Sequence, residues 1–218
     1  MIRNGGVTMS KLIWFIPRSA STSYAMQLAD SENMKYFGEL YGPWNENKEL
    51  MSAVTSANSV MKLQGAQFEN HKHLILPYLS DQDILIMKPR SLLESYTSFI
   101  LAYAHAKQNC NNNRMYWIPS HTDNDRSSFK AQVKSVSYED AVDAVDKYTR
   151  IVQAWVNNYH HFAHGRVVDR STMIYDPVWS FTEKIGLLKS WEDVRALIIH
   201  NGEPLWDQIE YLLSTSKV

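Results

Sequence analysis

The chain has 218 residues, 44% of them hydrophobic and 21% charged, so it can form a folded core and is not disordered by composition. Its 22 Lys and Arg against 23 Asp and Glu give a net charge of −1, which excludes a general attraction for nucleic acid or an anionic membrane. The single cysteine, Cys110, excludes an internal disulfide and a multi-cysteine zinc site, and it favours a reducing, cytoplasmic location. No apolar run approaches the ~18 residues of a membrane span.

Residues 1–10 are predicted to be a loose extension, and residues 11–218 a single domain. Short β-rich runs alternate with longer helical patterns there, which predicts an α/β fold whose central sheet is mainly parallel. The predicted strands cover residues 11–16, 36–40, 60–64, 83–87 and 165–169. The predicted helices cover residues 21–31, 48–58, 70–79, 91–108 and 137–163.

The last of these helices has the clearest pattern, because Ser137 and Asp140 resemble a capping box and apolar residues recur at helical spacing. The predicted core positions are Ala141, Val142, Val145, Tyr148, Val152, Trp155 and Tyr159. The polar segment 109–130 has no periodicity and is predicted to be a long loop. The C-terminal region is predicted to form two helices split by "NGEP", and its aromatic residues are compatible with core packing, an acceptor pocket or a homodimer contact.

The stretch "IPRSASTSYA" lies where the first buried strand turns into the first helix. In an open α/β sheet this position commonly binds anions, because backbone N–H groups point outward at the positive end of the helix dipole. Arg18 would add a forked set of donors, and Ser19, Ser21 and Thr22 would add hydroxyls. The alternative is that the hydroxyls cap the helix and Arg18 is solvated.

The segment "PRSAST" resembles the loop that binds the 5′-phosphosulfate of 3′-phosphoadenosine 5′-phosphosulfate (PAPS) in cytosolic and carbohydrate sulfotransferases. The match covers Pro17, Arg18, Ser19, Ser21 and Thr22. Ala20 replaces the usual glycine, which is acceptable if its φ is negative. The resemblance implies that Arg18, Ser19, Ala20, Ser21 and Thr22 contact the donor, within a three-layer fold similar to that of P-loop NTPases.

A second stretch, "ILIMKPRSLLESYTSF", is similar to the segment with which the same family holds the 3′-phosphate of the donor. Pro89, Arg90 and Ser95 match the family pattern, but Met87 stands where the first arginine is expected. A methionine cannot pair with a phosphate, so our hypothesis is that Lys88 or Arg90 replaces the lost charge. The predicted ligands of the 3′-phosphate are therefore Lys88, Arg90 and Ser95.

Transfer of a sulfuryl group needs a cation for the leaving phosphate and a base for the acceptor. Arg18 fits the first role. For the base, Glu39 in "YFGELYGP" resembles the glutamate of tyrosylprotein and several bacterial sulfotransferases. His71, or less favourably His73, follows the third strand near the histidine of cytosolic members. Glu39 is preferred because its aromatic neighbours are compatible with a closed, apolar site.

The resemblance implies in-line transfer of a sulfuryl group from PAPS to a hydroxyl or amine, with adenosine 3′,5′-bisphosphate as the product. The acceptor would be a small molecule, carbohydrate or peptide, and no metal, nucleic acid or membrane is expected. The alternative is a non-catalytic nucleotide- or phosphate-binding protein of the same fold with a degraded donor site. His160 and His164 have a spacing that allows metal binding, but a cationic role at a helix end is preferred.

Overall fold

A computed structural model of the protein describes residues 10–39, 58–109, 132–169 and 179–215. These residues form two compact units. The first unit comprises the described parts of Met1–Lys88, Ala154–Met173 and Tyr211–Val218, and the second those of Pro89–Gln153 and Ile174–Glu210. None of the described helices is long and apolar enough to cross a membrane.

The helices and strands follow the predicted alternation. In chain order they are β1 (Ser10–Phe15), α1 (Ser21–Glu32), β2 (Lys35–Glu39), β3 (Ser59–Gln64), α2 (Gly65–Ile75), β4 (Gln82–Met87), α3 (Leu92–Asn109), α4 (Tyr138–Asn158), β5 (Arg166–Val168), α5 (Phe181–Gly186) and α6 (Trp191–Thr215). Short 3-10 helices follow α2 at Leu76–Asp81 and α4 at Tyr159–His161. All five predicted strands are confirmed within one residue at each end. The predictions for residues 48–57 and 110–130 lie outside the described residues.

The five strands form one sheet in the order β2-β3-β1-β4-β5, and every neighbouring pair is parallel. The predicted α/β class with a mainly parallel sheet is therefore confirmed. From β1 the chain continues to β2 on one side of the sheet, and from β4 to β5 on the other. Open α/β sheets bind ligands beyond the carboxyl ends of their strands where the connections diverge in this way.

Helices cover both faces of this sheet in the first unit. On one face α1 packs against β1, β2 and β3, and its Ala25 and Ala29 join a buried cluster with Ile13, Phe15 and Met87. On the other face Trp14 stacks on Phe162 and Trp155 and meets the edge of Phe68. Burial on both faces explains why the strands have continuous apolar sequences rather than alternating ones.

Three helix predictions are wrong in detail. Helix α2 begins at Gly65, five residues before the expected position, because the chain turns into helix directly after β3. The C-terminal region is one helix with Pro204 inside it, since buried Leu205 and Trp206 hold the chain past the proline. Helix α4 ends at Asn158, so His160 and His164 do not share a helical face.

The core positions predicted for α4 are confirmed with one exception. Val142 is 37% exposed, because the buried face runs through Ala141 and Val145. In the second unit, Tyr96 packs edge-on against Tyr148 and lies close to Trp206, and its hydroxyl is 2.9 Å from Thr149 Oγ1. Trp206 is buried and belongs to this core.

Candidate functional site

The turn between β1 and α1 has a strained backbone. Arg18 and Ala20 adopt left-handed conformations, with φ values of 72° and 63°. The condition under which alanine is acceptable in place of the glycine, a negative φ, is therefore not met, because the chain reverses from strand to helix within a few residues. A left-handed conformation costs about 1–2 kcal/mol for a residue other than glycine. Strain of this kind concentrates at sites that bind ligands.

The start of α1 has no side-chain cap. Its N-cap residue is Ala20, which has no polar side-chain atom and makes no cap hydrogen bond. Ser19 is 1% exposed, and its Oγ has no hydrogen-bond partner among the described residues. The backbone N–H groups of the first helical turn therefore lack the usual side-chain acceptor. This arrangement favours an anion over the alternative that the serines cap the helix.

A buried lysine lies beside the same turn. Lys62 is 4% exposed in the middle of β3, and its Nζ donates a 2.7 Å hydrogen bond to Thr22 Oγ1 in the first turn of α1. The Nζ also lies 4.9 Å from the centre of the Phe15 ring. Burial lowers the pKa of Lys62, and the nearby Glu39 carboxylate opposes that effect. Lys62 thus places a buried amine, which donates a hydrogen bond to Thr22, at the carboxyl edge of the sheet.

Glu39 is the last residue of β2 and reaches the same edge. The register between β2 and β3 shifts between Tyr36 and Gly38, and Gly38 has a φ of 80°. A bulge of this kind changes the direction of the following side chain, here Glu39. Its Oε2 lies 3.7 Å from Lys62 Nζ, and the side chain is 29% exposed. Lys62 therefore connects Glu39 to Thr22.

Two glutamines also contact Glu39: Gln64 at the end of β3 and Gln67 in the first turn of α2. Gln64 Nε2 and Gln67 Nε2 donate hydrogen bonds of 2.8 Å and 2.6 Å to Glu39 Oε1. Tyr36 lies on the same strand as Glu39, where burial and, to a smaller extent, the Glu39 charge raise its pKa to about 12. The carboxylate is thus held by residues from β3 and α2.

The histidine candidates lie further along α2. His71 interrupts the helix with φ −126° and ψ 20°, and its Nδ1 lies 3.0 Å from the carbonyl oxygen of Gln67. A carbonyl only accepts hydrogen bonds, so Nδ1 carries the proton and donates it. His73 is exposed. His71 is therefore connected to Glu39 through Gln67, whereas His73 has no such connection among the described contacts.

The residues predicted to hold the 3′-phosphate have other partners. Met87 is fully buried in the apolar cluster under α1. Lys88 Nζ lies 3.3 Å from Asp169 Oδ2, and both side chains are 53% exposed. In the second unit, Arg90 Nη1 donates a 2.7 Å hydrogen bond to Glu94 Oε1, and Ser95 is buried near the start of α3. The roles of Lys88, Arg90 and Ser95 remain predictions.

Lys62, Gln64 and Gln67 were not among the site residues predicted from the sequence. The available signal was the polar Lys62 inside the apolar strand "VMKLQ", because a lysine in a buried strand needs a polar partner. The glutamines give no such signal, since their contacts with Glu39 form only when β2 and β3 pair. All three lie at the carboxyl edge of the sheet, where Arg18 and Thr22 were predicted to act.

No family model, curated protein or solved structure matches the chain. Within the described ranges, no group of three or more histidine, cysteine, aspartate or glutamate side chains is arranged to hold a metal ion. The residues that indicate a function are therefore those of the β1–α1 turn, Lys62 and the residues that contact Glu39.

Proposed function

We propose that the protein is a sulfotransferase that moves a sulfuryl group from PAPS to a hydroxyl or amine of its acceptor. The observation that carries this proposal is the β1–α1 turn, which combines two left-handed residues with an uncapped helix start and a buried Ser19 hydroxyl. Uncapped backbone N–H groups at the positive end of a helix favour an anion, and phosphosulfate is the anion expected from the motif "PRSAST".

Arg18 and Lys62 would supply the positive charge that the reaction needs. As the bond between sulfur and the bridging oxygen breaks, negative charge grows on the 5′-phosphate that leaves. Donors fixed in advance around this position lower the barrier because they need little rearrangement during the reaction. The N–H groups at the start of α1 would share this role with Arg18, and Lys62 would act beside Thr22.

Glu39 would act as the base. The acceptor oxygen forms a bond to sulfur, the bond from sulfur to the 5′-phosphate oxygen breaks, and the acceptor proton passes to the Glu39 carboxylate. The products are a sulfate ester and adenosine 3′,5′-bisphosphate. The contact of Glu39 with Lys62 supports this role by position, because Lys62 also bonds to Thr22 and so places the carboxylate beside the first turn of α1.

The second candidate function is binding of a nucleotide or phosphate without transfer. Burial of Met87 in the apolar cluster favours it, because this position cannot supply the expected charge for a 3′-phosphate. In the proposed enzyme, Lys88, Arg90 and Ser95 supply the ligands of that phosphate instead. The two candidates differ in whether PAPS is consumed.

Thermal unfolding with adenosine 3′,5′-bisphosphate, PAPS and ATP tests the proposal. A ligand that binds only the native state raises the melting temperature by mass action. We expect the first two ligands to stabilise the wild type and Arg18→Ala to abolish most of that gain. Arg150→Ala is the control, because Arg150 is 77% exposed on α4 and pairs with Asp146. Stabilisation by ATP alone would contradict the proposed donor.

Turnover of PAPS with a panel of phenol, sugar and amine acceptors separates the enzyme from the binding protein. We expect release of adenosine 3′,5′-bisphosphate by the wild type and at least a 100-fold slower release by Glu39→Gln, as a general base contributes about 10²–10⁴-fold. Binding of the nucleotide without any release would favour the second candidate.

A further inference from the structure

The two glutamines that contact Glu39 form a defined arrangement, which we call the glutamine clamp and which consists of Gln64 and Gln67. Both Nε2 groups donate to the same carboxylate oxygen, Oε1, at 2.8 Å and 2.6 Å. Hydrogen bonds from two donors fix the plane of a carboxylate as well as its position. The inference drawn from this clamp rests on the proposed function.

The contacts determine which end of the Gln67 amide faces Glu39. Gln67 Oε1 accepts a 3.2 Å hydrogen bond from the backbone N–H of Gln64. Because a carboxylate accepts and does not donate, the Nε2 end must point to Glu39. Gln67 is only 8% exposed, so water does not compete strongly for either end of the amide. The orientation of the Gln67 amide is therefore fixed by a hydrogen bond at each of its two ends.

The two oxygens of Glu39 have different surroundings. Oε1 receives both amide hydrogen bonds, and Oε2 lies 3.7 Å from Lys62 Nζ. These contacts hold the carboxylate at both of its oxygens. We propose that Gln64 and Gln67 are positioning residues, which fix the orientation of Glu39 so that its carboxylate takes the proton of the acceptor.

His71 then has a supporting role rather than the role of the base. Its Nδ1 donates to the carbonyl oxygen of Gln67 at the point where α2 departs from helical geometry. This hydrogen bond steadies the main chain of Gln67 behind the clamp. The two candidate bases therefore have different roles. Glu39 takes the proton, and His71 holds Gln67, which in turn holds Glu39.

The test compares three clamp variants with one control. The clamp variants are Gln64→Met, Gln67→Met and the double variant that carries both changes, and the control is Gln82→Met. Gln82 is a matched control, because it is 7% exposed and is the first residue of β4, at the end of the strands away from the candidate site. The measurements are Kd for adenosine 3′,5′-bisphosphate, and kcat and KM for PAPS turnover with a phenol acceptor. We expect the clamp variants to lose about 10- to 100-fold in kcat, the cost of a misplaced reacting group, while Kd stays within about twofold.

The histidine variants supply the second measurement. His71→Asn can keep an N–H donor near the position of Nδ1 and should retain most of kcat, whereas His71→Leu should lower it. If His71 were the base, kcat would instead fall strongly in both variants, and that result would contradict the inference. So would a clamp variant with normal kcat, or one in which Kd worsens in parallel with kcat. Wild-type protein that neither binds the nucleotide nor consumes PAPS would overturn the proposed function itself.

Discussion

Two strand-to-helix turns of the first unit lie on neighbouring strands, yet their construction differs. After β3 the chain enters α2 directly, and the backbone N–H of Gln64 bonds to Gln67 Oε1. After β1 the chain needs residues 16–20 to reach α1, with two left-handed residues and no side-chain cap. At the β3–α2 turn a helix side chain, Gln67, accepts a hydrogen bond from the backbone before the helix, whereas the N-cap of the β1–α1 turn, Ala20, has no polar side-chain atom.

The difference separates a turn that serves packing from one suited to a ligand. At the β3–α2 turn, Gly65 lets the helix approach the backbone of Trp155 so closely that an added Cβ would lie 2.3 Å from its nitrogen. At the β1–α1 turn, the buried Ser19 hydroxyl has no hydrogen-bond partner among the described residues, which is a cost that a bound anion would remove. Each turn therefore predicts a different response to substitution.

Gly65→Ala should break the packed turn and give the largest effect on stability. The new methyl group would overlap backbone atoms of Ala154 and Trp155, which cannot rotate away as a side chain can. We expect the free energy of unfolding to fall by about 3 kcal/mol or more, at the upper end of overpacking effects. Chemical denaturation measures it. Gly186→Ala is the control, because nothing lies within 4 Å of its added Cβ; equal losses in both variants would refute the packing argument.

Lys62→Met should weaken the ligand-binding turn without weakening the fold. The fold should be retained, because the partner that this variant leaves behind, Glu39, is 29% exposed and keeps its hydrogen bonds from Gln64 and Gln67. Loss of the cation beside Thr22 should lower the affinity for adenosine 3′,5′-bisphosphate about 10- to 100-fold, the range for a hydrogen bond to a charged group. Calorimetric titration measures the affinity.

Lys35→Met provides the matched control for that experiment. Lys35 also lies over an aromatic ring, with its Nζ 4.2 Å from the centre of Phe37, but its side chain is exposed on β2. We expect this variant to bind the nucleotide as the wild type does. Unchanged affinity in Lys62→Met would remove Lys62 from the site.

The contrast between the turns also explains how far the sequence could predict this molecule. The strands were predictable because their buried residues form apolar runs, and the position of the β1–α1 turn followed from "KLIWFI" and "PRSAST". The conformation of Ala20 was not predictable, because alanine normally avoids a positive φ and the family glycine is missing. Met87 was recognised as a departure, but its membership of the apolar cluster depends on how α1 packs on the sheet.

The candidate site was predicted only in part, for a related reason. Arg18 and Glu39 belong to recognisable local motifs. The contacts among Lys62, Gln67 and Glu39 instead join residues that are up to 28 positions apart and meet only through strand pairing. Local sequence patterns carry no information about such contacts until the strand order is known.

Tyr36→Phe should reduce the loss of stability that the wild type shows at high pH. Burial raises the pKa of Tyr36 from 10.0 to about 12 in the folded protein, with a smaller contribution from Glu39. A raised folded pKa gives stability that is fully present below pH 10 and lost as the pH rises towards 12. The wild type should therefore lose roughly 1.4 kcal/mol more than Tyr36→Phe between pH 9 and pH 11.

Urea denaturation at the two pH values measures this difference, and Glu39→Gln tests its second cause. Without the carboxylate charge, the extra loss of stability should become smaller but should not vanish, because burial is the larger cause. An equal pH dependence in the wild type and Tyr36→Phe would show that this hydroxyl ionises as it does in the unfolded chain.

Ala20→Gly should give the smallest effect and the most direct test of strain in the β1–α1 turn. Glycine adopts a positive φ without a steric cost, so this change should stabilise the protein by about 1 kcal/mol. Ala29→Gly is the comparison variant: Ala29 lies inside α1, where glycine costs about 1 kcal/mol relative to alanine, and loss of its buried methyl group adds to that cost. Opposite signs in the two variants are expected from denaturation curves. Destabilisation by both would mean that residue 20 is not held in the left-handed region in solution. The β1–α1 turn would then not be strained in the way that distinguishes it from the β3–α2 turn.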